Sequence, residues 1–140
     1  MTDPLKIEFD VGCSAEHAFA VWTAKVSMWW PADHTVSGEP DEVVIQPLVG
    51  GRIYERTAEG LELDWGEVTL WDPPRRLGYL WHIGRDRVSA TEVTIDFVHR
   101  GDHAARVEIE HRGLGDHQMR DANRSGWSGL IPHFVEAANS

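Results

Sequence analysis

Between Glu42 and Arg112 the chain holds six segments in succession that read as strands, each separated from the next by a short run of turn residues. They are Glu42–Gln46, Arg52–Arg56, Leu63–Trp71, Leu77–Ile83, Thr91–Val98 and Arg106–Arg112. Successive side chains of a strand point to opposite faces, so apolar residues recurring at every second position mark a half-buried strand. The alternation is strictest where Leu77, Tyr79, Trp81 and Ile83 share one face. Gly50-Gly51, Glu59-Gly60, Asp72-Pro73-Pro74 and Gly101-Asp102 supply turn chemistry between segments. Connections this short set consecutive strands side by side in an antiparallel meander.

Helical patterns flank this stretch. Leu5–Val11 alternates as one more strand and is broken by Gly12 and Cys13. Ser14 then stands as an N-cap, with Glu16 in the first turn facing the positive end of the helix dipole. A helix is predicted over Ala15–Thr23, its apolar face built from Ala18, Phe19, Val21 and Trp22. A second short helix over Ala24–Trp30 ends at Pro31. The last segment, His117–Ala138, carries a broad stripe of Trp127, Leu130, Ile131, Phe134, Val135 and Ala138. Gly126 and Gly129 each cost that helix roughly 1 kcal/mol relative to Ala. Pro132 predicts a kink or a split.

The order is strand, two short helices, six strands, long helix. This is an α+β arrangement: one domain over residues 1–140, with a curved antiparallel sheet of six to seven strands wrapped around the C-terminal helix. A concave sheet and a convex helix do not match everywhere, so a cavity between them is expected.

Charge excludes several functions. The chain has 13 Lys and Arg against 23 Asp and Glu, a formal net charge of −10, and Arg75-Arg76 is its densest basic pair. Such a chain repels phosphate backbones, which argues against nucleic acid as a partner. No run approaches the roughly 20 apolar residues of a membrane span, and Met1-Thr2-Asp3-Pro4 does not open a signal peptide. Cys13 is the sole cysteine. No internal disulfide is available to it, and a cytoplasmic location is expected.

Several strings resemble a known family. Gly66-Glu67-Val68-Thr69-Leu70-Trp71-Asp72-Pro73-Pro74-Arg75-Arg76-Leu77, followed by Trp81, is the most distinctive. Gly50-Gly51-Arg52, Thr91-Glu92-Val93-Thr94, Arg106-Val107, His111-Arg112-Gly113-Leu114 and Gly126-Trp127 occur in matching order. Together they resemble the domain family named after the activator of heat-shock protein 90 ATPase, within the SRPBCC or START-like superfamily. The resemblance covers nearly the whole chain. It implies the helix-grip, Bet v-type fold. It also implies a cavity under the long helix, which aromatase/cyclases, lipid carriers and hormone binders of the superfamily use. Fold alone does not choose among those uses.

Trp29, Trp30, Tyr54, Trp81, Trp127 and Phe134 lie on elements expected to line the space between sheet and helix. They read as the wall of a pocket for an apolar or aromatic small molecule, or as plain core packing. His111 shares a strand face with Val107 and Ile109. It is the candidate polar group of such a pocket and the weak candidate for acid–base catalysis, or a core histidine satisfied internally. His82 is predicted to face outward, as are Trp65 and Trp71, opposite Gly66, Val68 and Leu70. Asp64 and Glu67 fall on opposite faces, and Glu108 and Glu110 read as solvated charges. No histidine spacing forms a metal motif, Gly50-Gly51 lacks the rest of a phosphate loop, and no cofactor signature is present. Two functions follow. One is small-molecule binding in a sheet–helix cavity, with catalysis left open. The other is a protein-interaction module that contacts a chaperone, as the family name suggests. Monomer and homodimer are both compatible with the sequence.

Overall fold

A computed structural model describes residues 4–140, so Met1–Asp3 lie outside the described residues. Seven antiparallel strands form one curved sheet. They are β1 (Leu5–Val11), β2 (Pro40–Ile45), β3 (Arg52–Thr57), β4 (Glu62–Asp72), β5 (Arg76–Trp81), β6 (Thr91–Gly101) and β7 (Ala104–Arg112), in the order β1-β7-β6-β5-β4-β3-β2. The meander is as the turns dictate. The N-terminal strand closes it by pairing with the last one, Ile7 opposite Ile109 and Phe9 opposite Val107. Helices α1 (Ala15–Trp22), α2 (Val26–Trp29) and α3 (His117–Ala138) cover the concave face. This is the helix-grip architecture.

The helix ends obey local chemistry. Ser14 Oγ accepts the backbone N–H of His17 at 3.1 Å and opens α1. Asp116 Oδ1 accepts that of Met119 at 2.8 Å and opens α3. The second helix shrinks to the single turn of α2, and Pro31 leads into a 3-10 turn over Ala32–His34. Pro132 does not split α3, which runs unbroken from His117 to Ala138. Pro132 and Ser128 are both exposed, so the carbonyl released by the missing N–H faces water.

Strand β4 departs from simple alternation. Ile53 pairs with Gly66 while Tyr54 pairs with Asp64, which leaves Trp65 as an inserted residue. Val68 then pairs with Tyr79 and Leu70 with Gly78, which inserts Thr69. Each bulge adds one residue and reverses which face the following side chains occupy. Trp65 is 1% exposed and Val68 fully buried, whereas Leu70 is turned toward solvent. Trp71 packs edge-on against Phe19, with ring centres 5.1 Å apart. The outward placement of Trp65 and Trp71 is thereby corrected. The first bulge requires glycine: a Cβ on Gly66 would lie 2.0 Å from the Leu80 carbonyl oxygen.

His82 is also corrected, from outward to buried. Strand β5 ends at Trp81, and His82 begins a turn in which the Arg85 N–H donates to its carbonyl at 2.7 Å. Its ring folds into that turn, with Nδ1 3.2 Å from the Arg85 carbonyl oxygen.

Candidate functional site

A cleft of about 700 Å³ opens between the N-terminal half of α3, the end of β5 and the segment that follows α2. Of the residues singled out from sequence, Trp30, Trp81, His111 and Trp127 line it. Trp30 and Trp81 form one wall, with ring centres 5.8 Å apart. Trp65 backs both rings, at 5.0 Å and 5.7 Å. Such offset and edge-on pairings suit the aromatic quadrupole and hold the wall rigid.

Trp29 and Phe134 lie behind the cleft. They pack on each other and on Trp22, with Phe134 4.7 Å from Trp22 between ring centres. Tyr54 lies on the opposite face of the sheet. Its ring is flanked by the Arg52 and Arg56 guanidinium groups, and its hydroxyl accepts from Arg56. Alternation decides this, because Ile53 and Glu55 occupy the inner face on either side of it.

His111 sits at the cleft floor, 1% exposed. Trp127 Nε1–H donates to its Nδ1 at 3.1 Å, and its Nε2 lies 2.7 Å from Thr91 Oγ1. The indole can only donate, so Nδ1 is the acceptor and the neutral ring carries its proton on Nε2. That proton goes to Thr91 Oγ1, whose own hydroxyl donates to the Trp81 carbonyl at 3.3 Å. Burial, reinforced by the positive charge of Arg85, pushes the His111 pKa down to about 4. At neutral pH it is an uncharged ring with both nitrogens engaged. It shapes the site and ties α3, β5, β6 and β7 together, and it offers no free lone pair to a substrate.

The rim depends on a residue that sequence reasoning missed. Glu55 is fully buried on the inner face of β3. Its carboxylate accepts the Val36 N–H at 2.6 Å, the Ser37 N–H at 3.1 Å, the Ser37 hydroxyl at 2.5 Å and Trp65 Nε1–H at 2.9 Å. Burial alone would raise its pKa; the donated hydrogen bonds outweigh that and hold it below the usual glutamate value. This clip fixes the segment on which Asp33, His34, Thr35 and Val36 meet the cleft. Trp30 Nε1–H donates to the His34 carbonyl at 3.0 Å and anchors the same segment from the other side. Nothing local marked Glu55, since its donors on Val36 and Ser37 lie 19 and 18 residues away and Trp65 lies 10 away.

Asp33, His34, Arg85 and Asn123 complete the polar lining, and none was flagged from sequence. The His34 ring pairs with Asp33 at 2.9 Å through Nδ1. Thr35 is the one hydroxyl residue of the described lining, and it donates to the Ala32 carbonyl at 2.6 Å. The arrangement can bind, orient and polarise a guest; its one hydroxyl donates to a backbone carbonyl rather than to a base. Cys13 lies elsewhere, buried, with its thiol pKa raised by that burial. Among the described residues, no group of three or more His, Cys, Asp or Glu is placed to hold a metal ion, and no helix is long and apolar enough to cross a membrane.

Comparison with known proteins bears on both fold and site. The family model described as activator of Hsp90 ATPase homolog 1-like protein matches residues 12–139. Among solved structures, the anthrahydroquino-gamma-pyrone synthase Txn09, determined as a complex, is 30% identical, with 96% of each chain covered and a TM-score of 0.67. An HSP90 activator from Plasmodium falciparum is 15% identical, covering 97% of this chain and 95% of the other at a TM-score of 0.72. DynU16, a protein of the dynemicin biosynthetic locus, is 14% identical; the match covers 97% of this chain and 47% of that one, at a TM-score of 0.73. No curated protein matches the sequence.

Proposed function

The chain belongs to the activator of Hsp90 ATPase homolog 1-like family, and from that premise we propose that it is a single-domain protein that binds an apolar or aromatic small molecule in the cleft under α3. The observation that carries this reading is the cleft itself. Its volume of about 700 Å³ lies within the range of small-molecule sites, and Trp30, Trp81 and Trp127 present rigid apolar surface around a few polar groups. The similarity to the anthrahydroquino-gamma-pyrone synthase Txn09 favours a compact polycyclic guest over an extended lipid chain. The contact with a chaperone rests on the family description and on a likeness at 15% identity.

Isothermal titration with the neutral probe 2-naphthamide tests the reading. Binding is expected, and Trp81→Leu should weaken it by about tenfold, because a flat aromatic wall is replaced by a smaller aliphatic one. A flat isotherm with the folded protein refutes it.

A further inference from the structure

We infer that the guest is an aromatic carboxylate and that Arg85 is the residue that selects it, an inference that rests on the ligand-binding reading above. Arg85 is the one Lys or Arg among the described residues that line the cleft. It lies in the turn after β5, half-buried, on the side where Trp81 ends the strand. Four arginines of the outer sheet face are held by carboxylates. Arg52 pairs with Glu62 and Asp64, Arg56 with Glu42 and Glu62, Arg106 with Asp10, and Arg112 with Glu92. No carboxylate among the described residues lies within ion-pairing distance of Arg85; its guanidinium makes one long contact, from Nη2 to the Trp81 carbonyl oxygen at 3.4 Å. In a chain of net charge −10, a cation kept clear of carboxylates beside an aromatic wall is a specific arrangement.

Neither His111 nor Asp33 competes with Arg85 for the anion. His111 has both nitrogens engaged and is neutral at physiological pH. Asp33, the carboxylate of the lining, is turned to His34. A guanidinium presents parallel N–H groups that match the two oxygens of a carboxylate, and partial removal from water strengthens the pair. A ring lying against Trp81 would carry its carboxylate toward that fork, because Arg85 follows Trp81 by only four residues and contacts its carbonyl.

The test compares 2-naphthoate with 2-naphthamide, which share the ring and differ in charge, by isothermal titration on the full chain. The wild type should bind the carboxylate at least about tenfold more tightly than the amide, as charge-assisted hydrogen bonds imply. Arg85→Gln should erase that preference, lowering carboxylate affinity by far more than amide affinity; Arg85→Lys should retain part of it. Equal affinity of the wild type for both probes, or an undiminished preference in Arg85→Gln, overturns the role of Arg85 while leaving the cleft as a binding site. Flat isotherms with both probes overturn the binding reading and this inference with it.

Discussion

Acidification from pH 6.5 to about 4 should destabilise the protein through His111. The unfolded chain takes up a proton on this imidazole at its ordinary value of 6.5, while the folded protein does so only at about 4, because the ring is buried and faces the charge of Arg85. Between those values the unfolded state binds more protons, so stability falls as pH is lowered through the window and levels off below it. The difference corresponds to about 3 kcal/mol, a large share of the roughly 5–15 kcal/mol by which domains are stable. Urea denaturation of the wild type and of His111→Asn, at neutral pH and at about pH 4, isolates the effect. Asn keeps an acceptor for the Trp127 indole and cannot titrate, and contributions from all other groups cancel in the comparison. The wild type should lose about 3 kcal/mol more than the variant over this range. An NMR titration of the His111 ring in the wild type gives a second reading that does not depend on the variant folding. A midpoint near 6.5, or equal acid sensitivity of the two proteins, would show that the ring is not held neutral by its surroundings.

Three further outcomes follow from contacts described above. Glu55→Gln keeps the shape of the clip but turns an NH2 group toward donors, and should cost about 3 kcal/mol by urea denaturation at neutral pH; since the carboxylate is held below the usual glutamate value, the wild type's advantage is present at neutral pH and fades as acid protonates the folded group. The same substitution should weaken 2-naphthamide binding, because the rim over Val36 and Ser37 loses its anchor; unchanged affinity would dissociate the clip from the cleft. Gly66→Ala should destabilise by about 3 kcal/mol or more, since its Cβ meets the Leu80 carbonyl oxygen at 2.0 Å, and a wild-type melting temperature for this variant would contradict the bulge geometry.

Much of this architecture was written in the amino-acid order. Period-two alternation and short turns specified an antiparallel meander, Ser14 and Asp116 sit where helix caps belong, and the apolar stripe of Trp127, Leu130 and Phe134 identified the face of α3 that is buried. Those features are local: each is settled by residues within a turn or a strand of one another. Trp30, Trp81, His111 and Trp127 were found for the same reason, since each lies on a regular element whose inner face is readable from its neighbours. Tyr54 shows the limit, because the expectation followed its residue type when the alternation with Ile53 already turned it away from the cleft.

What only the tertiary structure decided involves residues whose partners are distant in sequence. Two bulges in β4 brought first Trp65 and then Trp71 inward, and a bulge is visible only once the register of the adjacent strands is known. Glu55 reads as one more solvated strand charge until the segment that precedes β2 folds over it and supplies backbone donors. Arg85 reads as a turn residue until α3 closes the cleft beside it. Strand and helix formation is governed by short-range periodicity, whereas the environment of a charge is set by whatever the chain brings alongside. For this protein the sequence determined the vessel, and the tertiary structure decided which polar groups face its interior.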